Sequence, residues 1–481
     1  MSTKGSASIA EYVGDYDCLI EGVEYFLRLE QQCVAQGDFT AIQRHYEEHP
    51  EDKLCDIYRP GTREMVLCRR SGIDAIDRIA RRLVAETPNG YDLSPKRIAE
   101  IISENILQAA IDQVTDDDEL VRILRSYVSL SEAEHVEASY QFPCVLLHCG
   151  PVQPNFPPPP PDQFALGPVT FRRFSVFVQD FNRAIDAGEK QAEEQALDMF
   201  SRSGQKYGWV ASVGIPHCAP DVSRQRAEEI IEAAINLLKV FIGLRYARPM
   251  RLPHTAPSRN RETCVLTEVD LQVTWTWHGA SLDGALVAGN PLDLVPPCMI
   301  GFAAGLLQKG QSGDRDEATN RLLDALRWFG DASFEESGGV QIVKWIAALE
   351  RLTATERLGR GITHNFCMRV ALLEAGLGKG NVESAYRDAR TAYDLRSDVM
   401  HGSRSQDDRH VLINTGLVHD LTREAMLGAL AVHHFLGTVV RDGRVENMAR
   451  FYKKAAVPHE ALFARLQREY SQKLRTQTPP P

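Results

Sequence analysis

Seven of the eleven residues from Pro151 to Pro161 (PVQPNFPPPPP) are proline. Such a run supplies too few backbone donors for a helix or a sheet interior, so it reads as an extended polyproline connector or an exposed loop. A docking role for a partner is the alternative to a stiff spacer. The run lies early in the second of three regions: residues 1–138, a helical N-terminal region; 139–300, an α+β middle region that contains it; and 301–475, a helical bundle. The expected fold class is therefore mostly α with an α+β middle.

Helical spacing of apolar residues carries the N-terminal region. Tyr16–Gln36 presents Leu19, Val23, Phe26, Leu27 and Leu29, and Ile73–Val84 and Pro95–Val114 follow the same period. Ser94 before Pro95 is a helix start, and the acidic run from Asp116 suits the positive end of a helix over Asp116–Val128. In the middle region Phe142–Cys149, Val169–Phe174, Trp209–Ile215 and Cys264–Trp277 read as strands, and Phe177–Arg202 and Val222–Leu244 as helices. Six helices are expected after residue 300: Glu317–Phe329, Val340–Leu352, Thr363–Glu374, Val382–Met400, His410–Leu436 and Glu446–Tyr470, with a frayed tail from Gln472.

Composition enters as a set of exclusions. The chain of 481 residues carries 54 basic and 65 acidic side chains, a net charge of -11, so no global positive field draws it to nucleic acid. The ten cysteines, at 18, 33, 55, 68, 144, 149, 218, 264, 298 and 367, form no CxxC pair and read as reduced thiols of a cytoplasmic protein. The N-terminal residues lack the apolar core of a signal peptide. The most apolar stretch, Leu292–Leu307, contains Asp293 and Pro296-Pro297, so no membrane span is expected. Phosphate-loop, dinucleotide, zinc-protease and serine-elbow motifs are all missing.

The segment that carries chemistry is NVESAYRDARTAYDLRSDVMHGSRS, residues 381–405. Asn381 can cap a helix whose apolar stripe runs Val382, Ala385, Tyr386, Ala389, Ala392 and Tyr393. Three or four residues further the stripe reaches Arg396 and then Met400. A guanidinium in a core position is costly unless it is paired or faces a cleft. His401 follows, and Gly402 stops the helix. Arginine is permanently cationic and suits phosphate, whereas histidine moves protons near neutral pH. Together they suit cleavage of a phosphodiester by the adjacent ribose 2′-hydroxyl without a metal.

The wording YDLRSDVMHG resembles the R-x4-6-H motif of HEPN domains, in particular the Apea-like HEPN family of bacterial anti-phage defence proteins. ALRWFGDA (325–332), VKWIAALERL (343–352) and MRVALLEA (368–375) are similar to that family's preceding helices, so the likeness covers roughly residues 310–440. The resemblance implies a HEPN-type bundle, a homodimer through it, an RNA substrate and metal-independent endoribonuclease activity. Arg396 matches the phosphate-binding arginine and His401 the catalytic histidine, with Tyr393, Ser397, Asp398, Gly402 and Arg404 supporting them. The family often has Asn, Asp or His after the arginine; here Ser397 stands there, with Asp398 behind it, able to pair with Arg404 or to hold the imidazole. The first two regions would sense an unknown phage or cellular trigger. The alternative is a HEPN module that only dimerises or binds RNA. No metal and no cofactor are assigned.

Other constellations have plainer explanations. Residues 441–475 hold nine Lys/Arg against four Asp/Glu, an RNA-facing surface or a solvated helix. His148-Cys149, His217-Cys218 and Cys144 offer zinc-ligand chemistry, but adjacent strand residues face opposite ways, so buried thiols and hydrogen-bonded histidines are the simpler account. Of His433 and His434, one must lean inward and the other toward water. The direction of Glu350 on its helix is open.

Overall fold

Thirteen helices and eight strands are formed by the described residues, so the chain is mostly helical with a small sheet. The computed structural model describes residues 9–37, 40–50, 54–58, 65–88, 90–111, 116–147, 160–186, 200, 202, 204–205, 207–243, 247–253, 263–267, 273–276, 289–313, 315–335, 337–354, 361–375 and 381–439. Most of the proline run, residues 187–199 of the expected Phe177–Arg202 helix, and the expected Glu446–Tyr470 helix with its basic residues lie outside them. The chain divides into two compact units, one of Met1–Ala138 with Pro216–Gln225 and one of Ser139–Ile215 with Arg226–Pro481.

In the first unit, α1 (Ile9–Gln36), α3 (Arg70–Glu86), α4 (Pro95–Ile111) and α5 (Asp117–Glu132) pack on one another. Leu19 and Val23 of α1, Ile76, Ile79 and Leu83 of α3, Ile98 and Ile102 of α4 and Leu124 of α5 share one core. Asp15 is buried beside it because Arg78 and Arg82 donate to its two oxygens at 2.7 and 2.9 Å. Ser94 caps α4 by accepting from the Arg97 N–H at 3.1 Å, and Asp116 accepts from the Asp118 N–H to start α5. Helix α2 (Thr40–Glu48) and a two-stranded antiparallel ribbon, β1 (Leu54–Tyr58) with β2 (Met65–Leu67), complete the unit. Strands of five and three residues show no readable period, which is why this region read as helical.

The second unit holds most of a six-stranded sheet in the order β4–β5–β6–β3–β7–β8. Its strands are β3 (Val136–Val145), β4 (Gln163–Leu166), β5 (Val169–Arg173), β6 (Gly208–Cys218), β7 (Thr263–Thr267) and β8 (Val273–Thr276). The pairs β4–β5, β5–β6, β3–β7 and β7–β8 run antiparallel. Two sequence expectations are corrected here. The single strand expected over 264–277 is two strands paired antiparallel, with Leu266 opposite Val273. The strand placed at 142–149 begins at Val136, because the alternating EASYQ segment joins the sheet ahead of the apolar run.

Helix α6 (Phe174–Asp186) packs on β5. Helix α7 (Pro220–Ile242) is buried along Ala227, Ile230, Ala234, Leu238 and Phe241. Then come α8 (Pro297–Ser312), α9 (Glu317–Ala332), α10 (Gly338–Thr353), α11 (Ile362–Ala375), α12 (Val382–Met400) and α13 (Arg409–Val439). In this bundle α13 packs on each of α8 to α12. The sequence reading assigns no helix to the span of α8, where Pro297 and three glycines dilute the helical signal. Small residues allow close approach elsewhere: a Cβ on Gly428 of α13 would fall 1.9 Å from the Leu373 carbonyl oxygen of α11.

Buried helix ends in this unit are met by cations from other segments. Arg423 of α13 donates to the carbonyls of Val240 and Phe241 at 2.6 and 2.9 Å, closing α7. Arg248 donates to the carbonyls of Ser333 and Glu335 just past α9, and Arg369 of α11 to that of Thr353 at the end of α10. Lys239 is fully buried, donating to Ser333 Oγ at 3.1 Å with its amine 4.0 Å from the centre of the Phe334 ring. Desolvation pulls that amine down to about 7.

His433 is buried and its Nε2 lies 3.0 Å from Thr319 Oγ1, while His434 stacks on Phe302 at 4.1 Å. Burial pushes the His433 imidazole down to about 4. The folded chain thus refuses a proton that the unfolded chain accepts below about 6.5. His433 therefore contributes stability that is complete above about pH 6.5 and lost as pH falls toward 4. At about pH 5 the loss from this one group is about 2 kcal/mol. Chemical unfolding at about pH 7.5 and 5 should show a His433→Gln chain losing about 2 kcal/mol less than wild type on acidification; equal losses would refute the assignment.

Candidate functional site

The motif helix α12 starts where Asn381 Oδ1 accepts from the Glu383 N–H at 2.9 Å. Its buried face is Ala385, Ala389, Ala392 and Leu395, and the three alanines let α11 and α13 come close. Tyr393 is half-buried against Phe366 of α11, ring centres 4.9 Å apart. The stripe that reaches Arg396 from the sequence ends there: Arg396 is half-buried and Met400 is 56% exposed.

Arg396 is held from two sides. Its guanidinium lies 3.6 Å from Glu350 Oε2 on α10, with both side chains about one-third open to solvent (28% and 34%). Its Cζ also stands 5.9 Å from the centre of the Tyr393 ring. Two groups that sequence spacing leaves 46 positions apart are thus brought together by the packing of α10 on α12.

The helix stops as HG predicts. His401 is the last, half-helical residue, and Gly402 takes φ +72°, the left-handed region. The Gly402 N–H returns to the Val399 carbonyl at 3.2 Å and the Ser403 N–H to the Asp398 carbonyl at 2.9 Å. This double closure is the Schellman cap, in which glycine avoids a steric cost that other residues bear. His401 is exposed, and its imidazole makes no hydrogen bond or ion pair among the described residues.

Asp398 resolves the alternative that the sequence leaves open. Its carboxylate accepts from Arg404 Nε at 2.7 Å, and Arg404 also lies 3.9 Å from Asp408. Asp398 therefore braces the cap loop and is not bonded to His401. Ser397 is half-buried, and its carbonyl takes the His401 N–H at 2.9 Å. Arg390 pairs with Asp394 at 2.9 Å one turn upstream. Arg390, Arg396 and Arg404 thus each carry a carboxylate of their own chain.

Sequence reasoning missed the tie between the cap loop and α10. The Gly339 N–H donates to the Gln406 carbonyl at 3.0 Å. A Cβ on Gly339 would fall 2.7 Å from Gln406 Cα, so only glycine fits. The Gly338-Gly339 pair at a helix start was the available signal.

Among the described residues no group of three or more His, Cys, Asp or Glu could hold a metal ion. His148 and Cys149 lie outside those residues; Cys144 and Cys218 are buried and His217 is exposed. No helix among them is long and apolar enough to cross a membrane.

No protein-family model, no curated protein and no solved structure matches the chain.

Because nothing lies within 4 Å of a Cβ placed on Gly402, substitution there costs backbone strain alone. Gly402→Ala should lower unfolding stability by about 1 kcal/mol, read from chemical unfolding midpoints. An unchanged midpoint would show that the cap is dispensable.

Proposed function

We propose that the chain is a metal-independent endoribonuclease of the HEPN type, with Arg396 and His401 as its reacting pair. The observation that carries the reading is their placement at one helix end: a half-exposed guanidinium on the last turns of α12 and, on its cap, an exposed imidazole that has no hydrogen-bond or ion-pair partner among the described residues. Arg396 would take a non-bridging phosphate oxygen. His401 would move the proton that the reaction needs. As the ribose 2′-oxygen bonds to phosphorus, its proton is removed; the bond from phosphorus to the 5′-oxygen breaks and that oxygen is protonated. The products are a 2′,3′-cyclic phosphate and a 5′-hydroxyl.

Two copies would share the work, one histidine taking the proton and the other giving one. Met400 on one side of the cap loop in the chain, and Leu412 and Ile413 on the other, are exposed apolar side chains suited to a homodimer contact. The first unit and the middle region would restrain this site until a phage-derived or cellular trigger acts.

A second reading is a HEPN module that binds RNA or dimerises without cutting. It is favoured by the pairing of Arg396 with Glu350 and of Asp398 with Arg404, which engages Asp398 away from the His401 imidazole.

Purified protein incubated with single-stranded or transfer RNA in EDTA should yield fragments ending in 2′,3′-cyclic phosphate. Arg396→Ala and His401→Ala should each lower the rate by about 100-fold or more. Cleavage that needs a divalent metal, or fragments bearing 5′-phosphate, would overturn the mechanism. RNA retention without cutting, lost in Arg396→Ala, would select the second reading.

A further inference from the structure

The carboxylates on the motif face are not equivalent. Asp394 reaches Arg390 from four residues away on the same helix, and Asp398 and Asp408 reach Arg404 within one short loop. Those pairs are fixed by local backbone and persist whatever the neighbouring helices do. Glu350 differs, because it comes from α10 and meets Arg396 only through the packing of two helices. Both side chains remain partly open to water and the contact is 3.6 Å long, so the pair is of the weak, breakable kind.

A phosphate and the Glu350 carboxylate would bid for the same guanidinium. Phosphate offers oxygens that arginine can grip with two donors at once, so it can displace a single long contact. Once displaced, the carboxylate stays near the bound anion and repels it. A unit charge a few ångströms from another still alters an equilibrium about fivefold in water-like surroundings, and more where water is excluded.

We propose that Glu350 is a positioning residue that gates Arg396: it holds the guanidinium against α10 in the resting chain and lowers the affinity of the motif for a polyanion until α10 and α12 shift. The inference rests on the reading of Arg396 as a phosphate-binding group. It adds an on–off element contributed by a residue outside the motif. It also assigns the N-terminal tie of α10 a role, since Gly339 fastens that helix to the loop that follows His401. One helix thus touches the motif both at its arginine and beyond its histidine.

The test uses the full chain and a fluorescent single-stranded 2′-O-methyl RNA, which lacks the free 2′-hydroxyl and cannot be cut. Binding is followed by anisotropy at low salt for wild type, Glu350→Gln, Glu350→Asp, Arg396→Ala and the Glu350→Gln/Arg396→Ala double variant. The gate requires Glu350→Gln to bind about fivefold tighter or better. It also requires Glu350→Asp, which keeps the charge, to bind as wild type does, and the gain to vanish in the double variant. A merely structural pair predicts the opposite sign, since loosening α10 from α12 can only weaken the site. If Arg396→Ala weakens binding while Glu350→Gln leaves it equal or weaker, the gate is wrong and the phosphate-binding reading survives. If Arg396→Ala binds as wild type does, or no variant binds, both fall together. Thermal unfolding controls for folding. Should Gln at 350 lower the midpoint, Glu350→Met, similar in volume and uncharged, decides by the same criterion.

Discussion

Helix ends that are buried must find partners for carbonyls that no longer have a next turn. In the second unit this constraint fixes where several helix ends meet, on top of the apolar core that packs them. The chain answers it with arginines drawn from elsewhere: Arg423 for α7, Arg248 beyond α9 and Arg369 for α10. Each guanidinium stitches two segments distant in sequence and removes an unsatisfied acceptor at the same point. Lys239 serves the same corner through Ser333, although full desolvation leaves its amine only weakly basic. Arg396 differs from these three, because its partner is a carboxylate on another helix and its surroundings are half wet, a setting it shares with Arg351, which meets Asp324.

That contrast bears on the proposed chemistry. An arginine locked on carbonyl oxygens inside a core is spent on the fold. An arginine in a long, half-exposed ion pair can exchange partners at small cost. The cap that carries His401 combines rigidity with display: two returning backbone bonds and the Asp398–Arg404 brace fix the loop, while the imidazole makes no hydrogen bond or ion pair among the described residues.

Much of the helical architecture was legible in the sequence. Asn381 and His401-Gly402 delimit α12 at the boundaries the spacing predicts, and Ser94 and Asp116 cap the helices they precede. What escaped is of two kinds. Segments too short for a period, such as Leu54–Tyr58, Met65–Leu67 and Gln163–Leu166, give no signal above their surroundings. Contacts between helices are not spelled out in local pattern, so Glu350 could be placed on α10 but not aimed, and the Gly338-Gly339 pair signals a close approach without naming Gln406 as its partner.

The bond between Gly339 and Gln406 has a mechanical corollary. Helix α10 is tied at both ends, at its start by Gly339 and at its finish by Arg369 on the Thr353 carbonyl, so it pivots about one tie only when the other gives. Glu350 lies eleven residues along α10 from the Gly339 tie, about 16 Å at helical rise. With the Arg369 tie released, a tilt of roughly five degrees about the Gly339 end would carry its carboxylate about 1.4 Å, enough to part a contact that begins at 3.6 Å. Such a small pivot leaves the loop beyond His401 almost where it was, so the cation can be released without dismantling the cap beside it.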